Sequence, residues 1–144
     1  MYAPHTVTVF NAREDALPVA TILRGVFLDV SKAANVRASG LDNADAATLF
    51  IPFSVEAFNA ETGAVQRYVT PKEYERSTDK ENLWTLRTSG TGSAADCFFA
   101  RGEITQSAKY QAINAEYDDV YRVSSVDPRD FGTPDMQHWQ VGGR

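Results

Sequence analysis

Residues Asp118 to Arg144 read as a strand, a turn and a closing strand, and a chain with such an ending has to place a two-stranded ribbon against the rest of itself. Val120, Arg122, Ser124 and Val126 fall on one face of the first strand, and Tyr121, Val123 and Ser125 on the other. β-Branched and aromatic residues dominate both sets, as a pleated and partly buried surface requires. Asp127-Pro128 is expected to stop this strand, because proline has no N–H for a ladder, and Phe131-Gly132-Thr133-Pro134 to turn the chain. From Met136 the pattern is extended again, with His138 and Gln140 opposing Gln137, Trp139 and Val141. Trp139 is expected either to seal a sheet or barrel or, with His138 and Arg144, to anchor an interface. Gly142-Gly143-Arg144 reads as a mobile cationic end that a partner receives, or as a disordered tail.

The remaining chain repeats the same period. Thr6–Asn11 alternates, and Thr21–Val30 is a longer strand in which Gly25 marks a bulge or bend of the kind that closing barrels use. Ala47–Val55 is the most apolar run, with Pro52 placing part of it at an edge or bulge. Glu61-Thr62-Gly63 signals a turn before Val65–Val69. Thr70, Pro71 and Glu73 have the spacing of a cap, a first helical position and a capping-box acid, predicting a short helix that ends near Ser77. Leu83–Leu86 and Cys97–Glu103 read as strands, and Ala108, Ala112 and Ala115 permit a short helix before Tyr117. Seven or eight strands joined by short connections, without a βαβ rhythm, predict a mainly β fold: an antiparallel small barrel or sandwich with one or two short helices. All 144 residues are expected to form a single β-rich domain.

Between two of these strands, residues 31–46 lose all periodicity and form a long polar loop carrying two cations, Lys32 and Arg37. Loops of this length are more often functional or disordered than idle, and a solvated loop is the plainer alternative. The bulk charge sets a limit on partners: fourteen Lys and Arg against nineteen Asp and Glu give −5, which argues against a domain that wraps nucleic acid by neutralising phosphates. A local grip of Lys32 and Arg37 on DNA, or on an acidic partner, stays open.

Chemistry is sparse. The single cysteine, Cys97, excludes an internal disulfide and a cysteine-rich zinc site, and its neighbours Phe98 and Phe99 predict burial. His138 stands three residues after Asp135, yet a metal needs three or four converging ligands and a general base needs a substrate to serve. Asp118, Asp119, Asp127 and Asp130 lack the ligand order of a calcium loop, and Gly90 and Gly92 lack the Lys-Ser/Thr pair of a phosphate loop. No catalytic residue, metal ligand or cofactor site is assigned, and no enzyme is expected. Met1–Thr6 shows no secretory pattern and no apolar run approaches a membrane span, so synthesis in a cytoplasm and no membrane partner are expected.

Two long stretches, Thr21-Ile22-Leu23-Arg24-Gly25-Val26-Phe27 through Ile51-Pro52-Phe53-Ser54-Val55 and Tyr121-Arg122-Val123-Ser124-Ser125-Val126-Asp127 through His138-Trp139-Gln140-Val141-Gly142-Gly143, carry a resemblance. With Tyr68-Val69-Thr70-Pro71-Lys72-Glu73-Tyr74 and the run Met136-Gln137-His138-Trp139, they resemble a family of small proteins encoded among the virion structural genes of tailed bacteriophages and prophages of Gram-positive hosts. Somewhat more than half the chain is covered, and Trp84 to Tyr110 matches least. The resemblance implies a structural virion protein located in the neck and assembled in the host cytoplasm. It implies a head-tail connector of the stopper or head-closure type, forming a homo-oligomeric ring beside portal, adaptor and tail proteins. The 31–46 loop, with Lys32 and Arg37, would then face the channel and touch DNA transiently, and His138, Trp139 and Arg144 would lie at interfaces. A tail-completion or minor capsid protein, a small ligand-binding barrel with an interior cavity, and an enzyme built around His138 are the alternatives.

Overall fold

The computed structural model describes residues 3–13, 16–30, 47–88 and 97–144. Among these residues nine strands and two α-helices follow one another as β1 (His5–Asn11), β2 (Val19–Val30), β3 (Ala47–Pro52), β4 (Glu56–Asn59), β5 (Arg67–Tyr68), α1 (Pro71–Arg76), β6 (Leu83–Trp84), β7 (Cys97–Arg101), α2 (Tyr110–Glu116), β8 (Val120–Arg129) and β9 (His138–Gly143). Six of the strands close an antiparallel barrel in the order β1-β7-β8-β9-β3-β2, with β2 pairing back to β1. β4 adds to β2 alongside the β1 pairing, so the long β2 strand serves both the barrel and its flank.

Alternation decides what enters the barrel. Val7 and Val9 of β1, Leu49 and Ile51 of β3, Trp139 and Val141 of β9, and Phe99 of β7 point inward and are buried. The opposite phase of β1 and β7 is buried too, because Phe10, Phe98 and Ala100 lie under α2 in a second core with Ile104, Ile113 and Val120. Both faces of these two strands are therefore covered in part, and on the outer face of β1 the Thr8 hydroxyl donates to the Gly102 carbonyl at 2.8 Å. Gly25 acts as the predicted bulge: His5 pairs with Val26 and Thr6 with Arg24, so Gly25 is skipped, at φ +87°. The slip turns Val26 and Leu28 into the core and leaves Phe27 outside.

The helix signal at Thr70 holds: its hydroxyl accepts the Glu73 N–H at 3.4 Å, Pro71 opens α1, and the helix is capped at Ser77. Three expectations need correction. Only Ala47–Pro52 of the Ala47–Val55 run is strand, because the chain turns after Pro52, with the Val55 N–H bonded to the Pro52 carbonyl at 3.0 Å, and returns from Glu56 as β4 along β2. β5 and β6 pair in parallel across α1 rather than antiparallel. Asp127-Pro128 does not end β8, which runs to Arg129 with Pro128 opposite Trp139. An antiparallel ladder takes N–H groups from alternate residues on one edge, so proline is tolerated where β9 requires no donor.

Candidate interaction surfaces

Among the described residues, seventeen buried hydrophobic residues form the barrel core, and one end is closed by four rings: Phe53 and Tyr68 lie 4.5 and 4.4 Å from Trp139, and Trp84 stands edge-on 5.6 Å from it. Tyr68 and Trp84 come from the β5–β6 pair, which is thereby laid across the barrel mouth. Asn11 fastens this cap. Its side-chain amide donates to the Thr85 carbonyl at 2.9 Å and its oxygen accepts the Thr85 N–H at 3.2 Å, so one carboxamide substitutes for a strand partner. Trp139, a candidate interface residue, is 9% exposed and belongs to this cap. Cys97 is buried as expected, with the Asn11 amide 3.4 Å from its sulfur.

Outside the barrel, a row of rings crosses four strands. His5 stacks on Phe27 at 5.4 Å, Phe27 lies 5.9 Å from Phe50, and Phe50 lies 5.8 Å from His138. All four are half-buried. The row arises because Phe27 and Phe50 face each other in the β2–β3 register on the side opposite Leu28 and Leu49. The sequence signal was two phenylalanines in the polar phase of their strands, hidden for Phe27 by the phase slip at Gly25. His5 Nδ1 accepts the Leu28 N–H at 3.0 Å, which requires the proton on Nε2. His138 Nδ1 sits 2.9 Å from the Met136 carbonyl, while the Asp135 carboxylate is engaged by Thr133, so the imagined His138–Asp135 pair is not formed. Among the described residues, no group of three or more His, Cys, Asp or Glu converges.

The β8–β9 hairpin carries the most exposed large apolar groups of its region, Phe131 at 70% and Met136 at 60%. Asp127, Asp130 and Asp135 surround them, all exposed. At the other end of the same hairpin, the expected mobile tail is ordered instead: Gly142 and Gly143 are buried in β9, and Arg144 exchanges two 3.0 Å backbone hydrogen bonds with Arg122. Arg144 keeps an exposed side chain directly opposite Arg122, and Arg122 lies over the Tyr110 ring at 4.2 Å. Lys32 and Arg37 lie outside the described residues. Arg13, Ser77, Thr78, Asp79, Lys80 and Glu81 line an open polar hollow. Its Lys80 is spent on the Ser77 carbonyl at 2.6 Å and its Asp79 on Asn82. Among the described residues no helix is long and apolar enough to cross a membrane.

Two tyrosine hydroxyls are pushed up to about 12, Tyr74 by burial and Tyr121 by burial together with the Asp119 carboxylate, to which it donates at 3.2 Å. An unfolded tyrosine gives up its proton near 10, so both groups favour the fold fully below that pH and lose their contribution as pH rises toward 12. Stability is expected to fall above pH 10 by at most about 1.4 kcal/mol per pH unit for each tyrosine. Urea midpoints measured at pH 9, 10 and 11 check this, and Tyr74→Phe should flatten the decline.

A family model described as a family of unknown function (DUF6751) matches residues 2–144, and the chain belongs to that family. No curated protein and no solved structure matches it.

Proposed function

We propose that this member of the DUF6751 family is a structural protein of a tailed-bacteriophage virion, a head-tail connector of the stopper or head-closure type. The observation that carries the reading is the division of labour in the barrel. Its interior is committed to packing, with rings closing one mouth, while its outer face offers a row of half-buried rings and a protruding apolar hairpin. A protein of this construction acts through surfaces, and the proposed role uses no catalytic step and no cofactor. The resemblance carried by the β2–β3 and β8–β9 segments supports the placement in the neck. Copies of the chain would close a ring beside portal, adaptor and tail proteins, and heterologous contacts that close need two different complementary faces on each copy. A net charge of −5 suits a wall past which DNA moves without sticking.

Imaging purified particles, with the chain labelled by a specific antibody fragment, tests the reading. A ring between portal and tail is the expected result. Absence of the chain from the particle would overturn it, and a position at the tail end or in the capsid shell would move the assignment to a tail-completion or minor capsid protein.

A further inference from the structure

The β8–β9 hairpin has opposite chemistry at its two ends. Its base holds Arg122 and Arg144 in direct cross-strand opposition, with both side chains exposed. Residues so placed have Cβ atoms about 5 Å apart, and like charges there repel. Neither arginine forms an ion pair among the described residues, whereas Arg101 on the neighbouring strand meets Asp119 at 3.7 Å. Arg122 is braced on Tyr110, a half-buried ring that packs against the second core. Lys109 adds a further exposed cation and Asp118 an exposed carboxylate. The tip lies about 20 Å away along β8, taking roughly 3.3 Å per residue. There, Asp127, Asp130 and Asp135 outnumber Arg129, and Phe131 and Met136 stand out into solvent.

Carboxylates beside apolar knobs complement guanidiniums beside aromatic rings. We propose that copies of this chain associate head to tail, the hairpin tip of one seated on the Arg122, Arg144 and Tyr110 base of the next. The inference rests on the ring reading above and names the contact that builds it. The repulsion between the two arginines is relieved by the neighbour's carboxylates, and Phe131 and Met136 leave water in the same step. Because tip and base are different faces, each added copy leaves one of each unfilled until the ring closes.

Two charge-reversed variants test it: Arg122→Glu with Arg144→Glu at the base, and Asp130→Lys with Asp135→Lys at the tip. Their oligomeric state is read by sedimentation velocity at low and high salt. The wild-type chain should assemble, and less so at high salt. Each variant alone should associate more weakly by on the order of a hundredfold, since like charges then face each other. Mixing the two should restore assembly, because each offers the other one matched contact on either side, and this rescue also shows that both are folded.

A wild-type chain that stays monomeric at high concentration and low salt would overturn the proposal. So would a base variant that assembles normally, which would indicate a symmetric tip-to-tip contact. Loss of assembly in the base variant alone would overturn it too, by assigning the arginines to another anion. The neck assignment fails independently, by the location of the chain in particles.

Discussion

Truncating Trp84 to alanine is expected to destabilise the protein by about 3–5 kcal/mol, a large share of the 5–15 kcal/mol that holds a typical domain together. The ring is 2% exposed and meets Tyr68 at 5.1 Å and Trp139 at 5.6 Å, both edge-on, an arrangement that contributes beyond buried area. β6 has two residues and, among the described residues, pairs with the two residues of β5, so few ladder bonds retain the cap once the ring is gone. Chemical denaturation measures the loss, and the emission of the remaining Trp139 should shift to the red as water reaches the barrel mouth. Trp84→Phe should recover part of the stability. A loss below about 1 kcal/mol would mean that the Asn11–Thr85 clamp, not the ring, holds the cap.

Gly143→Ala should cost about 1–3 kcal/mol, a large effect for one added methyl group, and Gly143→Val more. A Cβ at Gly143 would lie 2.8 Å from Phe99 Cζ and 2.8 Å from Tyr121 Cβ, too close for the rings to stay where they are. The two rings pack on each other at 5.6 Å and cover the bare backbone of β9 between β3 and β8. The cause is steric, so shortening the neighbour should relieve it: Phe99→Leu with Gly143→Ala is expected to be less destabilised than the sum of the two single changes. Strict additivity in that cycle would place the cost of Gly143→Ala elsewhere. Gly143, which reads in sequence as part of a loose end, lies in the structure against two core rings.

Much of the fold was legible residue by residue. Thr6–Asn11 alternates in sequence, and Trp139 and Val141 share a phase there, as they do in the barrel core; Thr70, Pro71 and Glu73 announced α1; and Gly25 announced the bulge in β2. These are local properties. A backbone dihedral preference, a cap or an alternation depends on residues within a few positions of one another, so the sequence displays them directly. It also restricted the architecture to a barrel or a sandwich of antiparallel strands, because the short connections permit little else.

The candidate surfaces were much less legible, and each miss has the same origin. Nothing near Trp139 in sequence reveals that Trp84, Tyr68 and Phe53 will enclose it, and nothing near Arg144 reveals that Arg122 lies opposite. Pro128 continues a strand because of what β9 does not ask of it, and Phe27 and Phe50 join His5 and His138 in one row only after β1, β2, β3 and β9 have paired. The sequence by itself determined the strand-rich class, the bulge, the capped helix and an excess of negative charge. Closure into a barrel, the cap of rings across its mouth and the polarity of the β8–β9 hairpin were decided by tertiary structure, because they depend on contacts between residues far apart in the chain, and such contacts leave no local pattern to read.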